Sequence, residues 1–377
     1  MPFNRLKFVI YILPIFILFT FCGQKSKKIK VKSSSSYFVE MSSPKKSWVK
    51  KARHISDTFF YRFLENPEFN GHFLVAKNDK IIFSRSVGFS NLEKQIPLTD
   101  STPIHVASIS KTATSLAVMR LFDQKKIDLD QKVEHYLKTF PFPAIRVRDL
   151  LTHRSGLPHY HYFVDHYTDR SWCLSNNDVL KLIVKHKIPL NFKPNSRFAY
   201  CNTNFMMLAL IVEKVTGKKF PNAMKELVFE PLEMKHTFIL DKKSMFNRIS
   251  QSYNHNKENQ KFTHLDLIYG DKNMYTTAKD LFRLSLGTYS SKFISIKSRK
   301  AMFKGYSYEK SGSKNYGLGI RIIEEPGTPD LFYHTGWWHG NLGMFAMNRK
   351  DTVCAIAISN MHDYKSQKMK LLIDCLK

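Results

Sequence analysis

The chain has 377 residues, of which 43% are hydrophobic and 24% charged. That balance excludes a wholly disordered or fibrous protein and is long enough for one domain with a large insertion, or for two lobes. The formal net charge is +28, but the lysines are spread along the whole length with no zinc-finger spacing and no aromatic-and-basic strip. The charge therefore reads as a solvated basic surface, and no nucleic-acid partner is expected.

The N-terminus reads as an export signal. Arg5 and Lys7 precede an uncharged apolar run over residues 8–21, which is short for a membrane span and fits a secretory h-region. Cys22-Gly23 follows, where a lipoprotein signal places its lipidated cysteine, although Phe19 and Phe21 are bulkier than such signals usually carry. Lipidation at Cys22, plain cleavage and a retained anchor stay open, with the lysines at 25, 27 and 28 weighing against the anchor. Residues 1–21 are thus read as a signal peptide and 22–47, rich in Lys and Ser, as a flexible tether. The mature protein is expected in the cell envelope, held to the membrane by this segment or by lipid. The five cysteines (Cys22, Cys173, Cys201, Cys354, Cys375) form no C-x-x-C pair, which argues against a redox dithiol or metal knuckle.

A helix is predicted over 48–64. Strands over 72–77 and 81–87 flank Asn78-Asp79, a hairpin signature. Residues 112–122 carry one charge, Arg120, and read as a helix buried on nearly all sides. Helices are predicted over 147–153, 178–187 and 204–215. Strands follow over 316–323, 331–334, 343–348 and 353–359, then a terminal helix over 365–376. Strands at both ends with helices between predict an α+β fold, an antiparallel sheet flanked by helices and completed by the C-terminal strands. One domain would span 48–377, with an α/β lobe (48–139 and 268–377) and an inserted, mostly helical lobe (140–267). The site should lie in the crevice between them.

Three short motifs carry chemistry. In Ser108-Ile109-Ser110-Lys111, helical spacing puts Ser108 and Lys111 on one face, where an amine can activate a hydroxyl that is otherwise a poor nucleophile. Five other Ser-x-x-Lys matches occur, including Ser42/Lys45 and Ser311/Lys314. Only Ser108 has an apolar approach (Ile104, Val106, Ala107) and an apolar helix behind it. Tyr200-Cys201-Asn202 follows a Pro194-Asn195 turn; Tyr200 can relay protons and Asn202 can donate to a substrate carbonyl. His334-Thr335-Gly336 closes a short apolar strand, where His334 and Thr335 can bond a substrate carboxylate and Gly336 can admit substrate backbone. Trp337 and Trp338 serve equally as a platform for a substrate side chain or as packing.

In this order the motifs resemble those of the serine β-lactamase and penicillin-binding-protein superfamily, in its class C β-lactamase-like branch. Residues 150–158 (Leu-Leu-Thr-His-Arg-Ser-Gly-Leu-Pro) are similar to the branch signature LLTHxSGLP, and 273–281 to its YSTxxDL segment. Asn195 and Glu233 stand where relatives often carry Gly, Cys201 where they often carry Ser, and His334 where many carry Lys. The resemblance implies Ser108, Lys111 and Tyr200 as catalytic residues, and Asn202, His334, Thr335 and Gly336 as the substrate-binding set. It implies the N–H groups of Ser108 and Trp337 as the oxyanion hole, and it implies no cofactor. It also implies an acyl-enzyme hydrolase of small-molecule or peptide substrates: a D-alanyl-D-alanine carboxypeptidase-like peptidase or esterase, ahead of a β-lactamase. An inactive peptidoglycan-binding relative is the rival from another class. A metal site is not expected: His153 belongs to the signature, His159, His161, Asp165 and His166 read as packing or surface groups, and no H-E-x-x-H helix exists.

Overall fold

The structure, a computed structural model, describes residues 37–376 apart from 66–68 and 247–248. The expected signal peptide, Cys22 and the first part of the tether lie outside these residues. Among the described residues no helix is long and apolar enough to cross a membrane.

The predicted hairpin is present as β1 (Gly71–Lys77) and β2 (Lys80–Val87). Asn78 takes a left-handed conformation (φ 57°) at its turn, which Asn tolerates better than most residues. The C-terminal half supplies β3 (Lys314–Tyr316), β4 (Arg321–Ile323), β5 (Leu331–Trp338), β6 (Asn341–Asn348) and β7 (Val353–Ser359). The order is β2-β1-β7-β6-β5-β4-β3, with antiparallel pairing throughout. Because β1 pairs with β7, the two ends of the chain close one sheet. The expected α+β architecture is what the chain adopts.

Side chains alternate across this sheet with the strand period of two. Leu74, Ala76, Phe345, Met347, Cys354, Ile356 and Ile358 face one core, which they share with the helical section. Phe73, Val75, Met344, Ala346, Ala355 and Ala357 face the other. That second core is roofed by Ala52 and Phe59 of α1 (Lys46–Phe59) and by Leu372, Ile373 and Leu376 at the C-terminus. Burial on both faces explains why β7 reads as an unbroken apolar run although the sheet is antiparallel. Each large aliphatic side chain so enclosed contributes about 1.5–3 kcal/mol.

Three expectations are corrected. The stretch 316–323 is not one strand: Gly317-Leu318-Gly319 turns the chain between β3 and β4. A Cβ on Gly319 would meet Ser115 Oγ at 2.0 Å, and Thr112 Oγ1 donates to the Gly319 carbonyl at 3.0 Å, so the turn is pressed onto the helix that follows Ser108. The strand expected to stop at His334 continues to Trp338. The distal end of the expected tether is docked: Tyr37, Phe38 and Met41 pack on the core, and Arg120 lies 5.1 Å from the Tyr37 ring centre. Helices Val147–Leu151, Asn176–Lys185 and α3 (Asn202–Thr216) fall close to their predicted places, whereas Tyr160–Tyr167 and Ala278–Gly287 were not anticipated as helices.

Candidate active site

Ser108 sits in a 3-10 turn, Ala107–Ile109, that feeds directly into α2 (Ser110–Asp123). Ala107 is held at φ 47°, a backbone conformation that costs a non-glycine residue about 1–3 kcal/mol and persists only where the surroundings enforce it. The enforcement is visible: Ile104–His105 pairs with Met274–Thr276, and the Val106 N–H donates to the Met274 carbonyl at 3.0 Å. Residues 110–119 of α2 are buried on every side except for Arg120 at their end, as the apolar sequence predicts. Lys111 has no exposed surface, while Ser108 is half-buried. Lys111 Nζ donates to Ser108 Oγ at 2.9 Å and to the Asp271 carbonyl at 2.8 Å. With the amine uncharged, the same contact lets Nζ accept the hydroxyl proton.

Tyr200 and Asn202 stand at the start of α3. The Tyr200 ring centre is 5.1 Å from Lys111 Nζ, and its carbonyl accepts from His159 Nε2 at 2.7 Å. The Asn202 N–H donates to His159 Nδ1 at 3.4 Å, and Asn202 Oδ1 is buried with no hydrogen-bond partner among the described residues. An orphaned buried carbonyl is uncommon and calls for an explanation such as a ligand group. Cys201 points the other way, its Sγ donating to the Leu157 carbonyl at 3.2 Å; burial pushes this thiol up to about 11, so it is inert. Asn195, as its replacement of Gly predicts, is left-handed (φ 62°), and so is Glu233 (φ 50°).

The third motif lies inside β5. β4 pairs with β5 only through Leu331–Tyr333, so from His334 onward that edge has no strand partner, and the Ser108 turn packs there instead. A Cβ on Gly336 would meet the Val106 carbonyl oxygen at 2.2 Å. The glycine thus admits the backbone next to the nucleophile. His334 departs from expectation. It is fully buried, with Nδ1 on the Thr335 carbonyl (2.8 Å) and Nε2 on the Tyr316 hydroxyl (3.2 Å), so neither nitrogen is free for a carboxylate. Burial, and then the charges of Arg321 and Lys111, hold its pKa well below the usual range, and the ring is neutral. Of the two tryptophans, Trp338 packs: its Nε1 donates to Asp266 Oδ1 at 2.5 Å, and its ring stacks on His161 at 5.5 Å. Trp337 is 63% exposed.

Sequence reasoning missed two groups. Arg321 lies with Cζ 4.7 Å from the Tyr200 ring centre, and its Nε is buried without a partner. It also lines a cleft of about 620 Å³ with Phe198, Tyr316 and Tyr333. A lone arginine in the apolar run Ile320–Ile323 was the available signal. The second group backs Lys111: Lys272 Nζ donates to the Tyr160 hydroxyl at 2.7 Å, which donates to Asp271 Oδ2 at 2.8 Å. Burial lowers Lys272 and raises Tyr160. Nothing local in Asp271-Lys272 announces it. Among the described residues no three His, Cys, Asp or Glu side chains are gathered as metal ligands.

The chain is similar to known proteins. The Beta-lactamase family model matches residues 67–373. The chain is 26% identical over 337 residues to penicillin-binding protein 4* of Bacillus subtilis, covering 85% of this chain and 74% of that one. It is 27% identical over 308 residues to the teichoic acid D-alanine hydrolase of Staphylococcus aureus, covering 75% of each. The crystal structure of a penicillin binding protein from Bacillus halodurans superposes with a TM-score of 0.75 at 25% identity, over 86% of this chain and 99% of that chain. The chain belongs to the beta-lactamase family and is a serine hydrolase of the β-lactamase and penicillin-binding-protein kind.

Proposed function

We propose that the protein is an acyl-enzyme hydrolase with Ser108 as nucleophile, acting in the cell envelope as a D-alanyl-D-alanine carboxypeptidase-like peptidase or esterase. The observation that carries it is the buried Lys111 Nζ within 2.9 Å of Ser108 Oγ. Lys111 takes the Oγ proton as the serine attacks a substrate carbonyl, and the N–H groups of Ser108 and Trp337 receive the developing oxyanion. Tyr200 returns the proton to the leaving group, Asn202 and Thr335 hold the substrate, and water then cleaves the ester on Ser108. A retained Ser108–Lys111 contact speaks against an inactive peptidoglycan-binding relative. Export, and lipidation of Cys22, rest on the N-terminal sequence alone.

The choice of substrate rests on charge. His334 is neutral, so the third motif offers a substrate carboxylate no fixed charge, and Arg321 is a cation beside Tyr200 that the three motifs do not include. A guanidinium there suits the C-terminal carboxylate of a D-alanyl peptide. The relatives, a penicillin-binding protein and a teichoic acid D-alanine hydrolase, fit the same reading. β-Lactams acylate this kind of site as well, but rapid clearance also needs a water activated against the adduct.

A substrate panel tests the order: kcat/KM for a D-Ala-D-Ala peptide, p-nitrophenyl acetate and nitrocefin on one preparation. Peptide or ester turnover should exceed that of nitrocefin. Nitrocefin hydrolysis at about 10⁶ M⁻¹ s⁻¹ or more, in the range of efficient enzymes, would make the protein a β-lactamase. Arg321→Met should cut kcat/KM for the peptide about tenfold to a hundredfold, the span for hydrogen bonds to charged groups, and spare the acetate ester.

A further inference from the structure

We propose that Tyr316 is a positioning residue whose hydroxyl joins His153 to His334 in one directed hydrogen-bond chain, tying the backbone of the Tyr200–Asn202 segment to that of Thr335. The inference rests on the hydrolase reading for its catalytic consequence, but its geometry stands apart from it.

The direction follows from the two ends, because a main-chain carbonyl can only accept and a main-chain N–H can only donate. At one end His334 Nδ1 lies 2.8 Å from the Thr335 carbonyl, so Nδ1 carries the proton and, in a neutral ring, Nε2 is bare. That bare Nε2 accepts from the Tyr316 hydroxyl at 3.2 Å. At the other end the Cys201 N–H donates to His153 Nδ1 at 3.1 Å, so His153 Nδ1 is bare and Nε2 carries the proton. The Asn204 side chain confirms the assignment: its Oδ1 accepts from Ser155 Oγ at 2.5 Å, leaving Nδ2 to donate to His153 Nδ1 at 3.1 Å. His153 Nε2 then donates to the Tyr316 oxygen at 3.2 Å, and the chain runs in one direction from the Cys201 N–H to the Thr335 carbonyl, with the Cys201 N–H and Asn204 Nδ2 sharing His153 Nδ1.

None of the three rings is reached by solvent to any extent: His153 and His334 are 0% exposed and Tyr316 is 1% exposed. Turning either imidazole over would put ring carbons where its nitrogens now bond. The chain passes beneath the proposed proton relay, with the His153 ring centre 4.3 Å and the His334 ring centre 6.2 Å from that of Tyr200. Its two ends are the peptide joining Tyr200 to Cys201 and the peptide following Thr335, which belong to the second and third motifs. Tyr316 therefore sets the spacing between the two walls that grip a substrate. It is supplied by the short strand β3, which none of the three motifs includes.

The test needs no substrate in its first arm. Nitrogen-15 NMR of the histidine-labelled protein at neutral pH should show opposite neutral tautomers, His334 protonated on Nδ1 and His153 on Nε2. The same tautomer in both rings, or a charged ring in either, overturns the proposal. In the second arm, Tyr316→Phe keeps the ring and removes only the hydroxyl. Turnover of a D-Ala-D-Ala peptide should fall about 30-fold, chiefly through KM, while p-nitrophenyl acetate, which does not span the crevice, stays within about threefold. An equal loss on both substrates assigns Tyr316 to general stability and also overturns the positioning role. If the wild type cleaves neither substrate, the hydrolase reading fails while the tautomer result still decides the chain. The tautomer arm likewise decides it if Tyr316→Phe does not fold.

Discussion

The turn that carries Ser108 and the strand that carries His334 face each other, yet they are built by different means. Ser108 and Lys111 meet because helical spacing brings residues three apart together, and the apolar helix behind them buries the amine. The β5 side is assembled from far-apart pieces. Gly336 is shaped by Val106, His334 is held by Tyr316, and Tyr316 is held by His153. The reactive pair is thus local and the binding wall is not. Substitutions on the first side should abolish chemistry with little effect on folding, and those on the second should trade stability and substrate choice together.

The largest expected effect sharpens that contrast. Ser108→Ala should abolish the adduct formed by labelled penicillin or a serine-directed phosphonate on the peptide containing residue 108, with the melting temperature unchanged. Lys111→Met should slow acylation about 100-fold or more, the range for loss of a general base. Labelling that persists in Ser108→Ala would displace the nucleophile from this turn.

Acid should act on both sides through buried histidines. Burial lowers the pKa of His153 and His334, as well as His72, and takes His105 to about 4. These rings are neutral when folded, whereas unfolded they bind a proton near pH 6.5. Stability is therefore full above that pH and is lost as pH falls toward the folded values. One pH unit below 6.5, a ring whose folded value lies well under that point removes on the order of 1 kcal/mol. Denaturant midpoints at pH 7.5 and 5.5 measure the sum, and a flat profile would contradict neutral, buried rings.

A smaller change separates packing from chemistry at β5. In Gly336→Ala the new methyl collides with the Val106 carbonyl, and overpacking of this sort costs about 1–3 kcal/mol. The melting temperature should drop, and acylation of Ser108 should slow even by small esters that need no binding wall. If only substrate affinity changed, Gly336 would belong to the substrate and not to the nucleophile turn.

The sequence by itself determined a good deal of this molecule. The Asn78-Asp79 turn marked the hairpin, apolar runs marked the last two strands, the motif order pointed to the candidate site, and left-handed Asn195 followed from its place in a turn. Such features depend on neighbours within a few residues, and that is the range over which patterns are visible. What went unread depends on distant partners. The break between β3 and β4 is set by a glycine turn pressed onto α2, and the docked segment after residue 36 by Tyr37 and Phe38 finding the core. The enclosed, neutral state of His334 and the arrival of Arg321 beside Tyr200 were likewise decided only in the folded chain. Burial and hydrogen-bond direction are properties of a place in the fold, and a residue acquires them only when segments more than a hundred positions apart converge on it.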